Sequence, residues 1–408
     1  VSGWTEHVIW WHVYPLGFLG AEKEATPAVR HRLPRLEGWL DYLVELGCNG
    51  LLLGPVFRSS THGYDTVDHF TIDPRLGTSD DLRSLIEAAS ARGVRVLLDG
   101  VFNHVGRDHP LVREHPGWFT GGTFEGHDIL RELNHDNPAV AAYVADVMRH
   151  WLRAGVAGWR LDAAYAVAPE FWRKTVGPVR EEFPDAWFLG EMIHGDYAGY
   201  VAASGIDSVT QYELWKAIWS SLADRNLFEL SWALKRHAEF AAAFVPQTFL
   251  GNHDVTRLAD QVGDDRHLGH AIAVLATVPG VPSVYAGDEQ AFRGRKEDRP
   301  GGDDAVRPAF PDSPDDLAPY GWPVYRLHQE LFGLRRRHPW LTHGGLSAEH
   351  VANESLVYRV TGPDGQHLLV ALNVGDDPLP VPGGYSAGAG TLENGSVPGH
   401  AFAVLLPG

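Results

Sequence analysis

The chain has 408 residues, 44% of them hydrophobic, and its 34 Lys plus Arg against 52 Asp plus Glu give a net charge of −18. A field of that sign repels nucleic acid and anionic lipid, so neither is expected as a partner, and a neutral ligand is left unopposed. No apolar run approaches the roughly 20 residues of a membrane span, and the length predicts one large catalytic unit with a small one appended.

In chain order, Val1-Ser2-Gly3-Trp4 shows no charged segment followed by an apolar stretch, so a secretory leader is absent or removed and a cytoplasmic location is expected. Val8 to Tyr14 reads as a first buried strand. A helix over Leu36 to Leu46 stops at Gly47, and a second strand runs from Gly50 to Gly54. The lone cysteine, Cys48, allows no intrachain disulfide and reads as a small core residue. Thr78-Ser79-Asp80-Asp81 caps a helix to Arg92, and Gly93 leads into a third strand, Val94 to Phe102.

The stretch Val105 to Asn137 is longer than an ordinary turn and rich in Gly, His and aromatics, which predicts an excursion beside the strand ends. Asn137-Pro138 then opens a helix to Ala154, and Gly155 precedes a fourth strand, Val156 to Asp162. Further strands are Trp187 to Glu191, Ser208 to Tyr212, Gln247 to Gly251 and Pro282 to Tyr285, with a helix over His267 to Val278 before the last. Arg293 to Pro319 reads as a long loop. Beyond a helix ending near His338, alternating segments Ser355 to Thr361, Leu368 to Asn373 and Phe402 to Leu406 predict antiparallel strands. The expected fold is therefore α/β. It comprises a (β/α)8 TIM barrel over residues 1–340 with an excursion at 105–137, and a small C-terminal antiparallel β domain, a sandwich, over 341–408.

Barrel enzymes place their chemistry at the C-terminal ends of the strands. Those ends here read Asp99-Gly100-Val101-Phe102-Asn103-His104, Gly158-Trp159-Arg160-Leu161-Asp162, Gly190-Glu191 and Gly251-Asn252-His253-Asp254. Acids ending the fourth and fifth strands, on neighbours about 4.8 Å apart, fit the 5–5.5 Å spacing of a retaining glycosidase pair. Arg160 and Asp162 project to the same side, so the guanidinium is expected to keep Asp162 ionised. Glu191, near Asp162 and Asp254, is expected to hold its proton. Each cluster alone has a plain structural explanation, as a strand-end acid, a commonplace Gly-Glu pair or an N-capped turn. Their order along the chain is what points to a site. The 14 Trp and 13 Tyr offer flat faces for sugar rings as well as ordinary core packing.

Taken together, these runs resemble the α-amylase family of glycoside hydrolases. His62-Gly63-Tyr64-Asp65 after the second strand and Gly280-Val281-Pro282 through Tyr285-Ala286-Gly287-Asp288-Glu289 at the eighth add to the match. The resemblance implies Asp162 as nucleophile, Glu191 as acid/base and Asp254 as the third catalytic acid. It implies sugar binding by Arg160, His104 and His253, stacking by Tyr64 and organisation by Asp99, and Phe102 is counted with these. Asp303 and Arg307 would grip the far hydroxyls of the same glucose. Gly301-Gly302-Asp303, Arg307-Pro308 and Glu132-Leu133-Asn134 are similar to the neopullulanase and cyclomaltodextrinase subgroup.

The chain departs from that pattern in three places. Tyr165-Ala166 stands where the family often has Lys-His, Ile193 stands where the subgroup has tryptophan, and the first strand begins too early for the subgroup's N-terminal dimerisation domain. The resemblance also raises calcium near Asn103, but none is expected to be required, so no cofactor and no metal ligand is assigned. Trp118-Phe119, and Trp215 with Trp219, are either outer sugar platforms or packing residues.

The expected activity is retaining hydrolysis of α-1,4 bonds, with α-1,6 bonds open, in short linear or cyclic malto-oligosaccharides. Transfer to another sugar or isomerisation by the same residues is the alternative. A silent glycan-binding protein is a remote one, because all three acids are present. The partner is an α-glucan oligosaccharide, and the oligomeric state is left open.

Overall fold

A computed structural model describes residues 3–408. Eight parallel strands form one sheet: β1 (Trp10–Val13), β2 (Gly50–Leu53), β3 (Arg95–Gly100), β4 (Gly158–Leu161), β5 (Trp187–Gly190), β6 (Ser208–Val209), β7 (Gln247–Phe249) and β8 (Val281–Tyr285). Their order is β6-β5-β4-β3-β2-β1-β8-β7. The two ends meet through a parallel bridge between Thr210 and Gln247, where the Gln211 N–H donates to the Gln247 carbonyl at 2.9 Å. The sheet is thus a barrel with one thin seam, in agreement with the expected fold.

Alternation along the strands sorts side chains into two sets. Trp10, Leu52, Leu97, Trp187, Leu189 and Val281 face inward and plug the N-terminal end of the barrel. Trp11, Leu51, Leu53, Leu98, Trp159, Leu161 and Phe188 face outward and join the larger core beneath the helices. The Trp10 and Trp187 rings stack at 5.7 Å inside the barrel, and two glycines make room for them. A Cβ on Gly50 would lie 2.3 Å from the Trp10 ring, and one on Gly158, at φ +153°, would lie 1.9 Å from the Trp187 carbonyl oxygen. The register of β4 against β5 therefore depends on Gly158 having no side chain.

Helices form where the caps foretold them. Thr78 and Asp81 complete a reciprocal capping box at Ser79–Ser90, and the Asn137 side chain accepts from the Ala139 N–H at the start of Pro138–Arg153. Gly47, Gly93 and Gly155 follow their helices at φ +102°, +71° and +105°. The first predicted helix is broken, since Pro34–Glu37 and Leu40–Leu46 are separate turns around Gly38. The excursion is a three-stranded sheet of His104–Gly106, Leu130–Leu133 and Phe119–Thr123.

Past the long helix Trp322–Arg337 comes an antiparallel sheet of five strands: β9 (Gly345–Val351), β10 (Ser355–Thr361), β11 (His367–Asn373), β12 (Tyr385–Gly390) and β13 (Phe402–Pro407), in the order β9-β10-β11-β13-β12. One face rests on the barrel helix Leu268–Thr277, where Thr277 and Tyr358 share a hydroxyl hydrogen bond of 2.6 Å and Phe402 lies against Gly269. On the other face Val357, Leu369, Ala371 and Leu405 pack with Leu379 and Val397 of a two-stranded ribbon. The sequence patterns had missed β9 and β12, whose mostly exposed residues carry no apolar run.

Gly158→Ala is expected to cost about 1–3 kcal/mol or more from overpacking. Gly333→Ala, in the interior of Trp322–Arg337 with only the tip of Arg337 nearby at 3.4 Å, should gain about 0.5–1 kcal/mol. Urea unfolding midpoints of the two variants against the parent protein test both signs.

Candidate active site

The inward positions that hold tryptophan and leucine at the bottom of the barrel become polar at its mouth. Asp99, Arg160, Asp162 and Glu191 follow Leu97, Gly158 and Leu189 on the same faces of β3, β4 and β5. Leu161 pairs with Gly190 across the two strands, and the Glu191 N–H donates to the Leu161 carbonyl at 2.9 Å. Asp162 and Glu191 are consequently neighbours on adjacent strand ends.

Arg160 lies at the centre, its side chain 4% exposed. Nη1 donates to both Asp99 oxygens at 2.7 Å and reaches Asp162 Oδ1 at 3.4 Å, while Nη2 meets Glu191 Oε1 at 2.8 Å. The guanidinium thus gives its short contacts to Asp99 and Glu191 and only a long one to Asp162, so the expectation that Arg160 keeps Asp162 ionised is opposed by the site. Burial and the Glu191 charge together push the Asp162 carboxyl well above the ordinary range, against the pull of Arg160. Glu191 is further held by the Ala163 N–H on Oε2 at 2.9 Å and by the Tyr212 hydroxyl on Oε1 at 3.3 Å. Ala163 takes φ +48° to present that N–H.

Asp254 anchors the opposite rim. Arg307 donates to its Oδ1 at 2.7 Å and His253 Nε2 lies 3.0 Å from its Oδ2. Burial acts to raise this carboxyl, but His253, Arg307 and Arg160 outweigh it and hold Asp254 well below the ordinary range. Arg307 also donates through Nε to the His253 carbonyl at 2.9 Å and meets Asp303 at 3.3 Å. The loop pair is therefore tied to Asp254. Tyr64 lies parallel to the His253 ring at 5.4 Å, hydrogen-bonds its Nε2, and donates to Asp99 Oδ2 at 3.0 Å.

His104 is buried at the start of the excursion, stacked under Phe124 at 4.5 Å. The next residue, Glu125, takes φ +50° and accepts from the Tyr165 hydroxyl at 2.8 Å. Tyr165 follows β4, and its N–H donates to the Glu191 carbonyl at 3.1 Å. Through Phe124 and Glu125 the excursion is fastened across the mouth of the barrel.

Not every expected residue falls in this cluster. Phe102 points outward and is fully buried against Trp159 and His69, each at 5.5 Å, so its assignment to sugar binding is corrected to a packing role. Trp118 packs on His115 at 4.5 Å and Tyr143 at 5.7 Å, and Trp215 lies between Phe249 and Trp219, so both follow their packing readings. Asn103 spends its side-chain amide on His104 Nδ1 at 3.1 Å.

Residues that the reading of motifs passed over also reach the mouth. Tyr14 stacks on His253 at 5.6 Å beneath the Arg307 guanidinium, 4.8 Å away, and His12 meets His253 edge-on at 5.2 Å. Tyr212 accepts from Asn252 at 2.8 Å. Tyr14 and Tyr212 end predicted strands and His12 lies two residues before one such end, so a search of every strand end would have reached all three.

The model of the alpha amylase catalytic domain matches residues 35–117 and 124–316. A cyclomaltodextrinase from Bacillus sp is 31% identical over 82% of this chain and 64% of its own length. Neopullulanase 2 of Thermoactinomyces vulgaris is 28% identical over 91% and 70%. Among solved structures, the cyclic alpha-maltosyl-(1→6)-maltose hydrolase from Arthrobacter globiformis superposes with a TM-score of 0.83 at 24% identity, covering 99% of this chain and 100% of that one. The chain belongs to the alpha-amylase family and is a retaining α-glycosidase.

The buried pair carries a stability consequence. A carboxyl raised on folding weakens the protein above its folded pKa and not below its unfolded value of about 3.9. Asp162→Asn should therefore melt higher near neutral pH, by about 1–3 °C for roughly 1 kcal/mol in a long chain, and the gain should vanish toward pH 3. Arg160→Met should do the reverse, costing about 3–5 kcal/mol by leaving buried carboxylates unpaired. Calorimetry across pH checks both.

Proposed function

We propose that the enzyme cleaves α-glucosidic bonds in short linear or cyclic malto-oligosaccharides, with Asp162 as nucleophile, Glu191 as acid/base and Asp254 binding sugar hydroxyls. The observation that carries this reading is that Asp162 and Glu191 end neighbouring strands and meet one guanidinium, at 3.4 and 2.8 Å. In the first step Glu191 gives its proton to the glycosidic oxygen as that bond breaks, and Asp162 attacks the anomeric carbon to form a glycosyl ester. Water then attacks the ester, giving its proton back to Glu191, and two inversions return the α-anomer. Arg160, His104, His253 and Tyr64 surround the same sugar ring, Asp99 fixes Arg160 and Tyr64, and Asp303 acts with Arg307 on the far hydroxyls. We assign residues 1–340 to catalysis and 341–408 to a supporting unit. The cytoplasm is kept as the proposed location, and among the described residues no helix is long and apolar enough to cross a membrane.

Soluble oligomers are favoured over polymers by the excursion, which narrows the mouth where Glu125 meets Tyr165. Cleavage of α-1,6 as well as α-1,4 bonds is kept in the proposal, in line with the similarity to neopullulanase 2. The same contact favours a second reading, transfer to an acceptor sugar. Tyr165 is bonded through its main chain to Glu191, the group facing the leaving side, and puts a phenol and a carboxylate there in place of a lysine and a histidine.

A time course on maltotriose, panose, pullulan and cyclodextrin, with the first anomer read by NMR, should give α-products from the oligomers. A β-anomer would refute the assignment. Asp162→Asn and Glu191→Gln should each lower kcat by on the order of 10²–10⁴-fold, and on an aryl α-glucoside, whose leaving group needs no proton, only the Asp162 variant should remain inactive. Tyr165→Phe should change the ratio of transfer to hydrolysis by up to about tenfold while leaving turnover of the aryl glucoside near that of the parent enzyme. An unchanged product ratio would remove the second reading.

A further inference from the structure

Away from the barrel mouth, where the C-terminal sheet meets the barrel helix Leu268–Thr277, three potential metal ligands converge. Asp264, His267 and His400 each offer one ligand atom within 4.8 Å of the others. The two histidines are 133 residues apart in sequence, yet His267 Nε2 lies 3.0 Å from His400 Nδ1. Two nitrogens bound to one tetrahedral ion at 2.0–2.1 Å stand about 3.3 Å apart, so the rings need to separate only slightly to admit it.

The surroundings orient this pair as ligands. Asp376 Oδ1 lies 2.8 Å from His400 Nε2, an arrangement that places the ring proton on Nε2 and leaves the Nδ1 lone pair facing His267. Carboxylates standing behind imidazoles in this way are a recurring feature of metal sites. His267 is 1% exposed, and its Nδ1 is buried without a hydrogen-bond partner, so His267 is committed to nothing in the protein besides His400.

The charges facing the group are Asp264 and Asp376 on one side and Arg266 on the other. Arg266 holds Asp264 at 2.7 Å, and Arg225 is engaged by Glu354 at 2.7 Å. Arg266 engages both Asp264 oxygens, its main-chain N–H and Nε on Oδ1 and its Nε and Nη2 on Oδ2, so a cation would take Asp264 in exchange for part of that contact. His270, 5.1 Å from His267 edge-on, is occupied through Nε2 with the Asn373 carbonyl at 2.9 Å.

We propose that Asp264, His267 and His400, with Asp376 positioning His400, form a structural site for a divalent cation of the zinc class. Two imidazoles and one carboxylate are a borderline donor set that suits Zn2+ or Co2+ rather than Ca2+, with water as the fourth ligand. The ion would tie the start of a barrel helix to the turn before β13, clamping the C-terminal sheet against the barrel without entering the cleft.

The test uses the full chain, stripped with a chelator and dialysed. Zn2+ should bind with one equivalent by calorimetry and raise the melting temperature by several degrees, and Co2+ should bring up visible bands of tetrahedral intensity that Zn2+ abolishes. His267→Gln and His400→Asn, the latter chosen because asparagine tolerates the φ of +56° at this position, should each lose at least 100-fold in affinity, and Asp376→Asn about 10–100-fold. Each should keep the parent's glycosidase turnover measured without metal, which separates this site from the catalytic one. Absence of a saturable equivalent of Zn2+ or Co2+, or binding unchanged in whichever of the His267 and His400 variants folds, would overturn the proposal.

Discussion

A single buried guanidinium holds the mouth of this barrel in order. Arg160 is surrounded by Asp99, Asp162 and Glu191, and each of these acids would be costly to bury without it. The acids outnumber the cation, so the site retains excess negative charge, and burial turns that excess into a raised Asp162 carboxyl rather than a scattered cluster. Asp99 has the closest grip on Arg160 and thereby fixes where the guanidinium points, which in turn sets the positions of Asp162 and Glu191. The same strand carries Gly158 two residues earlier, so one segment both admits Trp187 to the barrel interior and delivers Arg160 and Asp162 to its mouth.

A second set of contacts mirrors the first. Arg307, arriving on the loop after β8, fixes Asp254 and the His253 main chain and covers the Tyr14 ring. Tyr64 joins the two sets by touching both Asp99 and His253. The retaining chemistry of the family needs groups on opposite sides of a sugar ring to be preset before substrate arrives, and here opposite walls are linked through Tyr64 rather than built separately. The excursion adds a third wall through Phe124 and Glu125, which meet His104 and Tyr165.

The C-terminal sheet lies on the barrel helix Leu268–Thr277, which belongs to the βα unit preceding β8. Contacts there include Thr277 with Tyr358, His270 with the Asn373 carbonyl and His267 with His400. That helix is buried at every position, so the sheet replaces the solvent that an outer barrel helix would otherwise meet. Its apolar character all round is visible in the sequence, and it signals a covered helix without saying what covers it.

The sequence by itself determined the eight strands, their caps and the carboxylates at their ends. These depend on local period and on turn glycines such as Gly47 and Gly155, which act within a few residues. It also brought Asp162 and Glu191 to notice, because a strand's inward face repeats every second residue and the polar positions stand out at its end. Only the tertiary structure decided that Arg160 turns chiefly to Asp99 and Glu191, that Glu125 crosses to Tyr165, and that His267 meets His400. Each of these is a contact between segments brought together by barrel closure or sheet docking. Such pairings depend on three-dimensional distance, which no local pattern of apolar and polar residues encodes.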